Sequence, residues 1–322
     1  MIRFYDFAPL DGITKAVYRR VWARCFGGAD RCFIPYFSPT KEHLLTNRER
    51  VELLPENNPD MVLVPQVMTN RAPELLWAAE TVRELGYREL NLNAGCPSGT
   101  VTAKGKGAGL LARPETLDAL LDGACGKLCL PLSVKARVGF SDPEEFPRLL
   151  EIFNRYPLQS LILHARVRKD KYSGPLCYDA FACALRESRN PVSYNGDLRT
   201  TGEVSAFAER FPGAERVMIG RGAVADPALF RKLKGGPPAT REELRRFTAA
   251  LFDAYTRFYD GQTGLAARRM REVWFYLIHL FDNARRLNKD MRRFRTATEY
   301  RAIEDAIFTE LPLRTDSNGD LI

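Results

Sequence analysis

Two different hydrophobic periods divide the chain. Up to about residue 235, short runs of alternating apolar and polar residues take turns with helical stretches, the arrangement of repeated β-α units. The alternating runs predict strands at Phe4–Leu10, Arg31–Phe37, Met61–Val67, Glu89–Gly95, Pro131–Gly139, Ser160–Arg166, Pro191–Asp197 and Glu215–Gly222. Between them lie amphipathic segments such as Pro73–Leu85 (Leu75, Leu76, Ala79, Val82, Leu85) and Pro114–Leu128 (Leu117, Leu120, Leu121, Ala124). Each opens with a proline, which suits the first helical turn. Eight such units in about 230 residues predict an α/β fold, a (β/α)8 TIM barrel, rather than a doubly wound sheet. Gly235-Gly-Pro-Pro238 then breaks the pattern. Beyond it Leu244, Phe247, Leu251, Ala254 and Phe258 recur at helical spacing, as do Met270, Val273, Trp274, Leu277, Ile278 and Phe281. The reading is a barrel over residues 1–235 and a smaller all-α helical bundle over 236–322, with these aromatics in its core. The polar ending Thr315–Asp320 is expected to fray.

Composition agrees with a folded protein. Of 322 residues, 45% are hydrophobic and 27% charged, too apolar for a disordered chain and too polar for a membrane one. No stretch approaches the roughly 20 consecutive apolar residues of a membrane span, and Met1-Ile-Arg-Phe-Tyr-Asp6 runs into patterned sequence without a signal-peptide apolar region, so a soluble, cytoplasmic protein is expected. The seven cysteines are odd in number and irregularly spaced, which fits a reducing compartment. Cys125 and Cys129 have no histidine at metal-ligand spacing and fall on an apolar helical pattern, so no metal is expected. Net charge is +8, and its distribution points to a polyanionic partner: Arg241–Arg301 carries 14 Lys+Arg against 8 Asp+Glu, whereas residues 302–322 carry 1 against 5.

Active sites of TIM barrels lie at the C-terminal ends of the strands. Alternation in the fourth strand points Asn93 inward, immediately before Cys96; in the fifth, Val134, Ala136 and Val138 face the helices while Ser133, Lys135 and Arg137 face in. The sixth strand sends His164 and Arg166 inward, the seventh ends in Asn195-Gly196-Asp197, and the eighth in Gly220-Arg221-Gly222. A lysine inside a strand is costly without a partner, and a barrel mouth supplies one. Glycine-bearing loops after strands seven and eight commonly cradle phosphate through backbone N–H groups, which predicts a phosphate-bearing cofactor.

The run from Gly99 to Gly109 is not a Walker loop, because five residues instead of four precede Gly105-Lys106 and Gly107 replaces the required hydroxyl. It reads as a mobile cationic loop over the mouth, carrying Lys104 and Lys106. No Gly-x-Gly-x-x-Gly opens a βαβ unit, so a Rossmann cofactor site has no support. Cys96 stands between Gly95 and Pro97-Ser98-Gly99 without apolar neighbours in sequence. An ordinary thiol there is mostly protonated at neutral pH, and the residues alone leave open whether it acts as a nucleophile or as a proton donor.

The segment Leu90-Asn-Leu-Asn-Ala-Gly-Cys-Pro-Ser-Gly-Thr-Val-Thr-Ala-Lys-Gly-Lys-Gly-Ala108 resembles the signature of the tRNA-dihydrouridine synthases, FMN enzymes with a TIM barrel followed by a helical domain. Ala8-Pro-Leu-Asp-Gly-Ile-Thr14 is similar to the family's opening flavin loop, Pro65-Gln66 to its third strand, Ser133-Val-Lys-Ala-Arg137 to its fifth, His164-Ala-Arg166 to its sixth and Met218-Ile-Gly-Arg-Gly222 to its phosphate loop. Leu10-Asp11 departs from the Met-Glu or Met-Ala often found there. The resemblance covers residues 1 to about 235. It implies that NADPH reduces FMN, that hydride then reaches C6 of a specific tRNA uridine, and that Cys96 protonates C5, with Lys135 and His164 as the other catalytic groups. It further implies that Asn93, Arg137 and Arg166 hold the uracil, and that Pro9, Leu10, Asp11, Gln66, Lys135, His164, Asn195, Gly196, Asp197, Gly220 and Arg221 bind FMN. The helical domain would bind tRNA, and the protein would act as a monomer.

Two alternatives differ in what they require. An FMN barrel acting on a free pyrimidine, such as a dihydroorotate or dihydropyrimidine dehydrogenase, would share the lysine and the phosphate loops without needing a basic helical region. A non-catalytic tRNA-binding protein would keep the basic belt and dispense with Cys96, Lys135 and His164.

Overall fold

The structure, a computed structural model, describes residues 1–58 and 61–315. Eight parallel strands close into a barrel in sequence order: β1 (Phe4–Phe7), β2 (Arg31–Phe37), β3 (Leu63–Val67), β4 (Leu90–Ala94), β5 (Leu132–Gly139), β6 (Ser160–Val167), β7 (Val192–Asn195) and β8 (Arg216–Ile219), with β8 pairing back onto β1. The connections carry helices α1 (Ala16–Cys25), α2 (Asn47–Leu53), α3 (Ala72–Glu84), α4 (Gly99–Thr102), α5 (Pro114–Cys125), α6 (Phe146–Phe153), α7 (Tyr178–Glu187), α8 (Thr201–Arg210), α9 (Arg221–Ala225) and α10 (Leu229–Leu233). The second, third and fifth sequence-read strands end where the structure ends them and the sixth falls one residue short, whereas the first, fourth, seventh and eighth overrun at their C-terminal ends. β1 stops at Phe7 ahead of Pro9, which has no N–H to give a neighbouring strand, and β8 stops at Ile219 because Gly220 already caps α9. α5 likewise ends at Cys125, which leaves Cys129 exposed beyond the helix rather than packed on it.

Alternation along each strand sorts side chains onto two faces. Val134, Ala136 and Val138 pack outward under the helices in the main hydrophobic cluster, while Phe33, Val64, Ile162 and Met218 form a separate apolar cluster inside the barrel. The interior also holds fully buried polar residues, among them Asp6, Gln66, Asn91 and Ser133. Asp6 accepts from Arg31 and Arg216, and Arg31 also donates to Glu89, so the end of the barrel opposite the active-site mouth is closed by an ion-pair cluster.

After residue 235 come α11 (Arg241–Phe258), α12 (Thr263–Leu277), α13 (Arg285–Met291) and α14 (Ala297–Glu310). Thr240 and Glu243 close a capping box at the start of α11, which fixes where the helix begins after the glycine-proline break. Leu244, Phe247, Leu251 and Ala254 are buried as their spacing requires, but Phe258, on the last turn, is 47% exposed and lies edge-on to Tyr259. α11 packs on α1: Phe247 meets Tyr18 edge-on at 6.0 Å and Phe26 at 5.4 Å, so barrel and helices share one continuous core. The expected fraying from Thr315 onward lies, past Thr315 itself, outside the described residues. No helix among those described is long and apolar enough to cross a membrane.

Candidate active site

A cavity of about 430 Å³ opens at the C-terminal ends of the strands. Almost every site residue read from the sequence lines it: Pro9, Leu10 and Asp11 after β1, Gln66 on β3, Asn93 and Cys96 at the end of β4, Lys135 and Arg137 on β5, His164 on β6, Asn195, Gly196 and Asp197 after β7, and Gly220 and Arg221 after β8. Arg166 is not among the lining residues. It is buried behind them, donating to the Gly174 carbonyl and to Asp197 at 2.6 Å, so it touches the loop that borders the cavity.

The cations are held in fixed positions. Lys135 Nζ donates to Asn195 Oδ1 at 2.8 Å, and Asn195 Nδ2 donates to the Met218 carbonyl, tying β5, β7 and β8 together. Burial, and then the charge of Arg137, bring the Lys135 ammonium down to about 7. Arg137, 1% exposed, donates Nε to the Gly95 carbonyl and Nη1 to the Val167 carbonyl. His164 is driven well below its ordinary value by burial and by its cationic neighbours, Arg137 foremost, so it stands as a neutral imidazole. Burial alone would raise the Asp197 carboxyl; Arg166 and then Arg221 hold it below its ordinary value instead.

The loops after β7 and β8 are built around glycine. Gly196 has φ +155°, and a Cβ there would come within 2.8 Å of the Tyr194 hydroxyl. A side chain at Gly222 would collide with the Leu198 carbonyl oxygen and lie 2.7 Å from Arg199 Cα, so only glycine lets the two loops approach. Gly220 is the residue before α9, and a Cβ on it would touch Ala8 and Leu10 at 3.3 Å.

Cys96 is half-buried at the end of β4, with its backbone N–H donated to Asn93 Oδ1 at 2.9 Å. Burial pushes its thiol above the ordinary value, while the Ser98 backbone and Arg137 pull weakly the other way. The sulfur therefore holds its proton near neutral pH, which suits proton donation rather than attack as a thiolate. The Gly99–Gly109 run is not the loose cationic loop its composition suggests. It folds into α4 and a 3-10 turn at Gly107–Leu110, Ala108 N–H bonds to the Cys96 carbonyl, and Gly107 packs so closely that a Cβ would lie 3.0 Å from Cys96 Cβ. Lys106 pairs with Glu74 at 3.6 Å. Gly107 and Ala108 are the small residues of that run that pack against the cysteine.

Several lining residues escaped the sequence reading: Tyr36, Tyr172, Arg199, Phe275 and Tyr276. Tyr172 sits beside His164, their rings near parallel at 6.3 Å, with the Arg137 and Arg221 guanidiniums each 5.4 Å from its ring. Phe275 and Tyr276 come from α12, so the helical region contributes to the rim. Phe275 is 50% exposed although its neighbours Trp274 and Leu277 are buried, and a solvent-facing aromatic within a core-forming helix is the signal that marks it.

A family profile described as dihydrouridine synthase (Dus) matches residues 6–311. The tRNA-dihydrouridine synthase B of Yersinia pestis is 27% identical, covering 93% of this chain and 91% of that protein. The probable tRNA-dihydrouridine synthase 1 of Synechocystis is 28% identical over 83% of this chain and 76% of that one. Among solved structures, that of TcOYE with pHBA matches with a TM-score of 0.50 at 10% identity, covering 72% of this chain and 88% of that one, a likeness of fold. Barrel and cavity are those of an α/β enzyme with its chemistry at the strand ends. The chain belongs to the dihydrouridine synthase family.

Proposed function

We propose that this protein is a tRNA-dihydrouridine synthase, reducing the C5–C6 double bond of a uridine in tRNA with a bound FMN and NADPH as reductant. The observation that carries the reading is a protonated thiol, Cys96, sharing one cavity with Lys135, Arg137 and the neutral His164. FMN, when bound and reduced, supplies the hydride. Two features fit it. Gly196, Gly220 and Gly222 line the cavity where the loops after β7 and β8 meet, so a phosphate there would lie against glycine backbone, and the Lys135 ammonium has Asn195 as its hydrogen-bond acceptor among the described residues, leaving N–H groups for a carbonyl or anionic partner. Pro9, Leu10, Asp11, Gln66, Asp197 and Arg221 would complete that site.

The protein's own residues do the rest. Cys96 holds the proton destined for C5, and Arg137 and Asn93 orient the base through donors fixed by their other bonds. Lys135 stabilises negative charge that develops on a carbonyl, and Arg166 keeps Asp197 in place. A uridine inside tRNA must be flipped out of its stack at a cost of a few kcal/mol. Contacts between tRNA phosphates and residues 236–322, taken as a second domain, would offset that cost. The exposed Arg292, set over Phe275 at the cavity rim, favours this over reduction of a free pyrimidine. Mapping dihydrouridine in tRNA from cells lacking the protein tests the reading: one or more positions should revert to uridine. Purified protein should release FMN on denaturation. Unchanged dihydrouridine, or FAD in place of FMN, would overturn the corresponding part.

A further inference from the structure

A single file of hydrogen bonds runs up the barrel interior from the closed end to Cys96. Arg31 Nη1 donates to Glu89 Oε2 at 2.8 Å. Ser133 Oγ donates to Glu89 Oε1 at 2.6 Å, and Asn91 Nδ2 donates to Ser133 Oγ at 2.9 Å. Gln66 Nε2 donates to Asn91 Oδ1 at 2.6 Å, and Asn93 Nδ2 donates to Gln66 Oε1 at 2.7 Å. Asn93 Oδ1 then accepts the backbone N–H groups of Gly95 at 3.0 Å and Cys96 at 2.9 Å. Strand register makes the file possible, because Gln66, Asn91 and Ser133 are direct partners across β3, β4 and β5 and all point inward.

Asparagine and glutamine amides have two nearly isosteric orientations, and only their hydrogen bonds choose between them. Here both ends of the file dictate the choice. A carboxylate can only accept, so the Ser133 hydroxyl must donate to Glu89 and in turn accept from Asn91. Backbone N–H groups can only donate, so Asn93 must turn its oxygen toward Cys96. Each link satisfies the next in one direction, and reversing any amide would set donor against donor or acceptor against acceptor. Asn91 and Ser133 are fully buried and line no part of the cavity.

The geometry points to Glu89, Ser133 and Asn91 as positioning residues for uridine reduction: they set the amide orientation of Gln66 and Asn93 and, through Asn93, hold the Gly95–Cys96 backbone that carries the thiol. This rests on the reading of Cys96 as proton donor.

The test uses flavin-loaded enzyme carrying Ser133→Ala, which removes the link between Glu89 and Asn91 without adding bulk, and Ser133→Thr, which restores a hydroxyl. Hydrogen exchange at the Gly95 and Cys96 amides should speed up about two- to tenfold in Ser133→Ala, the range for losing one hydrogen bond, with other barrel segments unchanged. Single-turnover uridine reduction should fall by a similar factor while flavin reduction by NADPH stays within about twofold. Ser133→Thr should recover both. Asn91→Leu, cutting the next link, should reproduce the alanine result and serves if Ser133→Ala does not fold. Unchanged exchange at the two amides, a rise spread evenly over all strands, or faster exchange with uridine reduction untouched would each overturn the positioning role. Failure of the underlying reading is separable: Cys96→Ala would then reduce uridine as fast as wild type, and exchange at the two amides alone would decide whether the file exists.

Discussion

The cations of the barrel mouth and those of the C-terminal helices are used in opposite ways. At the mouth, Arg137 and Arg166 are almost fully buried and bonded to backbone carbonyls or to Asp197, so each holds one geometry. On the helices, Arg241 and Arg271 are also bonded to backbone carbonyls, but four arginine doublets, Arg245/Arg246, Arg268/Arg269, Arg285/Arg286 and Arg292/Arg293, lie largely toward solvent and differ in how they are paired. Arg286 pairs with Glu310, Arg269 with Glu272 and Arg245 with Asp305, whereas Arg268, Arg285 and Arg293 have no carboxylate partner among the described residues. Arg292 lies over the ring of Phe275 at the cavity rim, 5.4 Å from its centroid. Fixed, desolvated charge shapes chemistry at one point. Exposed charge acts at longer range, is screened by salt and tolerates change.

If that contrast holds, single replacements at the mouth should be decisive and those on the helices graded. Cys96→Ala should slow uridine reduction at least about a hundredfold, the usual scale for losing a general acid, with flavin content and flavin reduction by NADPH intact. Single-turnover assays on tRNA check it, and a wild-type rate would remove Cys96 from the chemistry.

Charge reversal of Arg292 and Arg293 together should come next, weakening tRNA binding about tenfold. It should also lower the slope of log affinity against log salt by roughly 0.7 to 0.9 for each phosphate that is no longer neutralised. Arg286→Glu, whose wild-type partner is Glu310, should change both far less. Binding titrations at several salt concentrations distinguish the outcomes; equal effects from both would mean that pairing with a carboxylate does not decide which arginines meet tRNA.

A smaller effect separates the two regions by pH. Folding lowers the Lys135 ammonium from its unfolded value near 10.4 to about 7, so the unfolded chain binds the extra proton between those values and stability from this group rises with pH across that window. In flavin-stripped protein, Lys135→Met should therefore raise the Tm most below pH 7, with the gain shrinking toward pH 10. A gain independent of pH would show that packing, not desolvation, is responsible. Exposed helix arginines should give no such window.

How much of this was legible in the sequence follows from where each residue lies. Strand alternation sorted Lys135, Arg137 and Asn93 inward correctly, because register along a strand is a local property. The strand ends were overrun at Pro9, which has no N–H for a ladder, and at Gly220, where the backbone already turns into α9. Tyr172 lies in a loop, and Phe275 and Tyr276 arrive from about 180 residues beyond Cys96, so no spacing links them to the cavity. The Gly99–Gly109 run misled because its glycines look like loop punctuation, while the fold uses their missing side chains to seat Gly107 against Val101 and Cys96 and Gly109 against Thr102. Arg166 was placed inward correctly, but its bond to Asp197 depends on a loop whose path the sequence does not display.

The shared packing of α1 and α11 has a consequence for the fate of the protein in a cell. Tyr18 and Phe26 on the barrel side meet Phe247 on the helical side, and the Trp22 indole donates to the Pro227 carbonyl just ahead of α10. A chain cut between the two regions, by a stalled ribosome or a protease, would strip Phe247 from Tyr18 and Phe26 and expose aromatic surface on the barrel. Such a fragment is a substrate for chaperones and degradation rather than a free-standing enzyme, so cells should accumulate either the joined protein or none of it.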